Sequence, residues 1–219
     1  MGKTVYSLVL TDEVIEEIDR LAYTMGISRS ALIDRILAEK VSYTTPEMRI
    51  DRIFDSLNRL FSDKSDGFIA KSENQSMLIR SSLKYKYKPT VRYSLQLLRN
   101  SESTEGEIKV SFRTQSLELI AKMEMFLQVW AGLENKYIVK YFPKGIQYYI
   151  EEGRFTRRFT LPDHYKDKSS EEIGAAIAQY IRMFDDVLKR YFACDTHEEG
   201  IIKATERYEE YLKNGIEVI

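Results

Sequence analysis

Cysteine is nearly absent, with one residue in 219. No internal disulfide is possible, which fits a reducing compartment, and a cytoplasmic location is expected. Four prolines and ten glycines are too few for a collagen-like or low-complexity chain. No stretch of 18 uncharged apolar residues occurs, so neither a membrane span nor a membrane partner is expected. The first residues lack the apolar stretch of a signal peptide. Net charge is also small, at -1, so bulk charge does not mark a nucleic-acid binder. What is present is ordinary globular material: 43% hydrophobic and 31% charged residues, enough to bury a sizeable core. The charge is uneven. Residues 45–113 carry 13 Lys/Arg against 9 Asp/Glu, while the segments on either side are acidic.

The first 43 residues form a compact pattern. Residues 3–10 alternate around Tyr6, Leu8 and Leu10 and predict a short strand. Thr11 stands as an N-cap, with Asp12 and Glu13 in the first turn, where the helix dipole favours negative charge. Val14, Ile15, Ile18, Leu21, Ala22 and Met25 recur at helical spacing, and Gly26 stops the helix. Ser28 caps a second helix carrying Leu32, Ile33, Ile36, Leu37 and Val41. The order is strand, helix, turn, helix. A lone strand leaves its backbone groups unpaired, and some 43 residues cannot enclose a core alone. A second copy is the simplest remedy: two strands pair antiparallel, and four helices cover one face of the ribbon. The other face stays exposed, and a two-stranded ribbon fits the major groove of B-DNA.

This stretch resembles the ribbon-helix-helix DNA-binding family of CopG type. The residues that carry the resemblance are the strand, the helix from Asp12, and above all Met25-Gly26-Ile27-Ser28-Arg29-Ser30-Ala31. A Gly-x-Ser-Arg/Lys-Ser segment opening the second helix is typical of that family. The resemblance covers about a fifth of the chain. It implies a homodimer or higher oligomer, double-stranded DNA as partner, and transcriptional regulation. It also implies that Leu10, Leu8 and Tyr6 face the core, while Lys3, Val5, Ser7 and Val9 face DNA. Val5 and Val9 depart from the polar or basic residues usual there. They can touch thymine methyls but form no hydrogen bonds to bases, so discrimination is weak or supplied by DNA shape. A ribbon kept only for dimerisation is the alternative. The remainder of the chain would then bind a protein or ligand, as in plasmid-maintenance or toxin-antitoxin accessories. At the second-helix start, Ser28, Arg29 and Ser30 offer backbone N–H groups and a charge to a phosphate.

Residues 44–219 predict an α+β accessory domain: a helix from Pro46, a meander, a helix, a hairpin and two helices, with about five antiparallel strands. The meander strands are expected near 77–88, 90–99 and 107–113, and the hairpin strands at 146–150 and 154–161. Residues 62–76 read as a polar loop. Ser169-x-x-Glu172 and Thr196-x-x-Glu199 predict two capping boxes. On the meander, Arg80, Lys84, Lys86, Lys88, Arg92, Lys109 and Arg113 would share one face, against the single acid Glu107. Such a face is either a secondary surface for an anionic partner or a solvated outer face with lysines as edge protection. The tyrosines fall on the opposite side, which disfavours base stacking.

Catalytic motifs are missing. There is no nucleophile elbow, phosphate loop or dinucleotide fingerprint, so no enzyme activity and no cofactor are expected. Cys194, Asp195, His197, Glu198 and Glu199 would need a second set of metal ligands, and His164 is the one other histidine. A capped helix start explains them better.

Overall fold

The computed structural model describes residues 4–62, 67–73, 76–85, 88–98, 105–160 and 168–219. The chain divides into two compact units, residues 1–49 and 50–219, and each is taken by itself. No described helix is long and apolar enough to cross a membrane.

In the first unit, helices α1 (Asp12–Met25) and α2 (Arg29–Lys40) form where capping and periodicity place them. Gly26 closes α1 in the left-handed conformation, and its neighbourhood returns N–H groups to Ala22 and Tyr23. Ser28 caps α2 through its side chain, which accepts from Ala31 N at 3.2 Å. Thr11 takes the extended backbone of an N-cap, but its hydroxyl makes no capping bond. The expected strand over 3–10 requires the principal correction. Residues 4–11 have no regular secondary structure in the single chain. The reason is physical: a strand is defined by ladder hydrogen bonds, and one copy supplies no partner strand.

The second unit is α+β, with a six-stranded antiparallel sheet rather than five strands. Helix α3 (Pro46–Leu60) leads into it. Strands β1 (Phe68–Glu73), β2 (Ser76–Ser82), β3 (Thr90–Leu98) and β4 (Glu105–Phe112) form the meander. Helix α4 (Leu117–Tyr137) follows, then the hairpin β5 (Gln147–Glu151) and β6 (Arg154–Thr160), and finally α5 (Ser170–Phe192) and α6 (His197–Lys213). The order across the sheet is β1-β2-β3-β4-β6-β5. The added strand, β1, occupies part of the expected loop at 62–76, and Phe68 is its one buried apolar anchor. Strand β2 is shorter than expected. At Leu83 the chain leaves the sheet, and Leu83 N–H donates to Pro89 O instead of a ladder partner.

Alternation along the strands puts Met77, Ile79, Val91, Tyr93, Leu95, Ile108, Val110 and Phe155 on one fully buried face. Helices α4 and α5 cover it. Phe184 of α5 lies at the centre, against Tyr93, Phe126, Trp130 and Phe155. Helix α5 also crosses α3 closely. A Cβ on Gly174 would meet the Ser56 side chain at 2.8 Å, so the crossing depends on glycine. Ser169 and Glu172 form the complete expected capping box of α5. At α6, Thr196 Oγ1 accepts from Glu199 N.

Two ionic groups are buried in this core. Asp185 accepts from Tyr93 Oη at 2.8 Å and Ser81 Oγ at 3.0 Å, and pairs with Lys189 at 2.6 Å. Glu134 pairs with Arg157 at 3.0 Å and accepts from Tyr180 Oη at 2.9 Å. Removing one partner of such a pair strands the other charge in a medium that cannot solvate it. Glu134→Ala should therefore lower stability by about 3–5 kcal/mol. The double change Glu134→Leu with Arg157→Met should recover most of that loss. Urea unfolding of the two variants beside wild type checks this, and an equal loss in both would contradict it.

Candidate nucleic-acid interface

The first unit leaves large apolar side chains exposed on both of its helices. Within α1 and α2, Ala22, Leu32 and Ala38 are buried. Val14, Ile15, Leu21, Ile36 and Leu37 are exposed. The segment before α1 is exposed throughout, but unequally. Val5 and Val9 are fully exposed, at 96% and 102%, whereas Leu8 and Leu10 are exposed at 54% and 37%. The two leucines therefore sit nearer protein than the two valines, but Tyr6, expected on the core side with them, is 85% exposed. Ser7 is exposed with the valines, and Lys3 lies outside the described residues.

The start of α2 is open to solvent at Ser28, Arg29 and Ser30. The Ser28 hydroxyl is occupied as the cap of Ala31 N. The Arg29 guanidinium forms an ion pair with Asp19 of α1, which sequence reading did not anticipate. Both side chains are partly solvated, and such a surface pair contributes little to stability. It also holds the guanidinium beside the helix start rather than free in solution.

The outer face of the sheet corrects the sequence expectation in part. Arg80, Arg92 and Lys109 lie on it, on β2, β3 and β4. Lys84 and Lys88 fall beyond the end of β2 and do not belong to the strand face, and Lys86 lies outside the described residues. Arg113 directly follows β4. Two arginines were missed. Arg154 and Arg158 of β6 share the outer face, because β6 pairs directly with β4. Lys109 is not free: Glu107 binds it at 2.7 Å and Arg158 at 3.4 Å. Burial opposes the Glu107 charge, but these two cations outweigh it and hold its carboxyl below the usual range. Of the meander tyrosines, Tyr93 is buried beneath the sheet and Tyr85 packs against the core, whereas Tyr149 of the β5 hairpin strand is exposed on the outer face.

A cavity of about 960 Å³ lies at one end of the sheet. Leu98, Glu105, Lys109, Phe142, Lys144 and Arg157 are among its lining residues. Arg157 is 1% exposed, and its guanidinium lies between the rings of Phe142 and Tyr180. Nε binds Glu134, Nη2 donates to Ile219 O at 2.5 Å, and Nη1 has no hydrogen-bond partner. The signal for this buried cation was present, since Arg157 falls in phase with Phe155 and Phe159. Among the described residues, no group of three or more His, Cys, Asp or Glu is placed to hold a metal ion.

Comparison with protein-family models, with curated proteins and with solved structures gives no match for this chain.

The cap at Ser28 fixes where α2 begins and hence where its free N–H groups point. Ser28→Ala should cost about 0.5–2 kcal/mol, confined to the first unit. Amide hydrogen exchange should quicken at residues 29–32 and stay unchanged in α5. Unchanged protection at 29–32 would show that the side-chain cap is dispensable.

Proposed function

We propose that the chain is a homodimeric DNA-binding protein, with transcriptional regulation as its role. Residues 3–43 of two copies form a ribbon-helix-helix unit that reads sequence or DNA shape. The observation that carries this reading is the apolar surface left open in one copy. Leu8, Leu10, Val14, Leu21, Ile36 and Leu37 are exposed on a segment and two helices whose single copy cannot cover them. A second copy would cover these side chains and give residues 4–10 their missing backbone partners. The inequality between Leu8/Leu10 and Val5/Val9 fits the two-faced strand that the ribbon requires, while Tyr6 on the leucine side is exposed in one copy.

In this reading Lys3, Val5, Ser7 and Val9 face the major groove. Ser7 supplies a hydrogen bond and the valines contact thymine methyls. Backbone N–H groups at Ser28, Arg29 and Ser30 take a phosphate, with Arg29 exchanging Asp19 for the nucleic acid. Affinity then comes chiefly from phosphate contacts, and discrimination from shape and a few weak base contacts.

A second reading has a specific observation behind it. The cavity beside Arg157 has the size of a small-molecule site, and Arg157 Nη1 is a buried donor with no acceptor. Under this reading the first unit only dimerises, and residues 44–219 are a ligand- or protein-binding module.

The wild-type chain should sediment as a dimer at micromolar concentration. Ile36→Asp should abolish both the dimer and the fold of the first unit, because it would bury an unpaired charge. A folded wild-type monomer would refute the two-copy arrangement. In anisotropy titrations with mixed genomic fragments, Arg29→Ala should weaken binding to all fragments alike. Its log K against log salt plot should flatten by about 0.9 per lost phosphate contact. A strongly fragment-selective loss would contradict the assignment of Arg29 to the backbone. Wild-type protein that binds no fragment at low salt would favour the second reading.

A further inference from the structure

The outer sheet face contains a pair of cations that no acid of the described residues pairs with. Arg80 on β2 and Arg92 on β3 are direct cross-strand partners. Side chains so placed stand about 4.5–5.5 Å apart at Cβ, and like charges there repel. On the same sheet Glu107 answers Lys109 and Arg158. No ion pair of the described residues involves Arg80 or Arg92. Arg92 Nε is moreover shielded from solvent and lacks a hydrogen-bond partner. Leaving such a donor unmet is costly, and a planar guanidinium supplies two parallel N–H groups matched to an oxyanion.

Hydroxyl groups flank the pair. Ser111 on β4 is the cross-strand partner of Arg92 on its other side. Ser94 and Ser82 lie on the same face, one pleat away along β3 and β2. Arg80 is exposed at this face and Arg92 is half-buried. Two uncompensated guanidinium groups with neighbouring hydroxyl donors suit a phosphate group. Carboxylates would be less well matched, since the additional serine donors would find no third oxygen.

We propose that Arg80 and Arg92 form an accessory phosphate-binding site that takes a backbone phosphate of nucleic acid. The site rests on the DNA-binding reading given above for its ligand, though not for its chemistry. Because the chain is dimeric in that reading, the site occurs twice. It carries no base specificity, since guanidinium contacts to phosphate report position rather than sequence.

The test compares full-length wild type, Arg80→Gln/Arg92→Gln, Arg80→Lys/Arg92→Lys and Arg29→Ala on a 40-base-pair duplex across a salt series. The Gln pair should remain a folded dimer. Its salt slope should flatten by about 0.9 for each copy of the site engaged, with affinity falling roughly three- to tenfold at 0.15 M salt. The Lys pair should keep most of the slope, because charge is retained. Changing Lys84, Lys86 and Lys88 to Gln should matter less than the Gln pair. An unchanged slope for the Gln pair, with Arg29→Ala still flattened, would overturn this site and leave the ribbon reading standing. A flattened Gln pair with an unaffected Arg29→Ala would support the site and count against the ribbon contact. Titration of ¹⁵N-labelled wild type with inorganic phosphate, followed at the arginine Nε–Hε resonances, separates the ligand sources. Movement of the Arg92 resonance in protein that binds no duplex would overturn the nucleic-acid assignment in favour of a free phosphate ligand. A still resonance with both phosphate and duplex would overturn the site altogether.

Discussion

An apolar face must be covered, and coverage is complete in one unit of this chain and incomplete in the other. In residues 50–219 a single antiparallel sheet has most of its large apolar residues on one side, with α4 and α5 across them. Period-2 alternation then leaves the opposite side to polar residues, because a one-residue slip would exchange the two sets. The outer face with Arg80 and Arg92 is thus a consequence of how Tyr93, Phe155 and Phe184 pack. In residues 1–49 the same demand is unmet within one copy, and that deficit argues for a second copy.

The ionic groups divide along the same line. Asp185 and Glu134 are carried into the core by helices whose other residues must be buried, so each needs partners on the sheet or on a neighbouring helix. Asp185 obtains Tyr93, Ser81 and Lys189, and these hydroxyl and ammonium groups satisfy both carboxylate oxygens. Glu134 obtains Arg157 and Tyr180, although burial still pushes its carboxyl above the usual range. Such pairs are poor sources of net stability but penalise any alternative packing that would separate them. On the outer face, Glu107 plays a milder role in water and leaves the arginine pair unanswered.

Much of this architecture was legible in the sequence because local signals agreed with one another. Ser169 with Glu172, Ser28, and Gly26 each act as predicted, so helix ends were readable to within a residue or two. The buried side of the meander was readable from Val91, Tyr93, Leu95, Ile108 and Val110. Strand β1 was not, since Phe68 alone anchors it within a polar stretch, and an edge strand needs little hydrophobicity of its own. The extent of β2 was misjudged because Tyr85 continues the alternation after the backbone has already turned at Leu83. Pairing order was beyond reach as well: nothing local says that β6 rather than β5 lies beside β4, and so Arg154 and Arg158 were not placed with Lys109. The pairing of Arg29 with Asp19 joins residues ten apart on two helices, and periodicity within either helix does not show it.

The N-terminal segment marks the limit of reading one copy. Alternation in residues 3–10 describes a two-sided strand, yet backbone hydrogen bonds decide whether a strand exists, and those bonds need a partner. The side chains differ only in part as a strand would require: Leu8 and Leu10 are partly covered and Val5 and Val9 free, but Tyr6 is exposed as well. Pairing and coverage of Ile36 and Leu37 would be simultaneous, since the same second copy provides both. In the proposed dimer, folding of the first unit and dimerisation would be one equilibrium, and its midpoint should depend on protein concentration. The second unit has its own closed core, with Phe184 at its centre, and carries no such dependence. Two transitions, one moving with concentration and one fixed, are the thermal signature this division of labour predicts, and a single concentration-independent melt would contradict it.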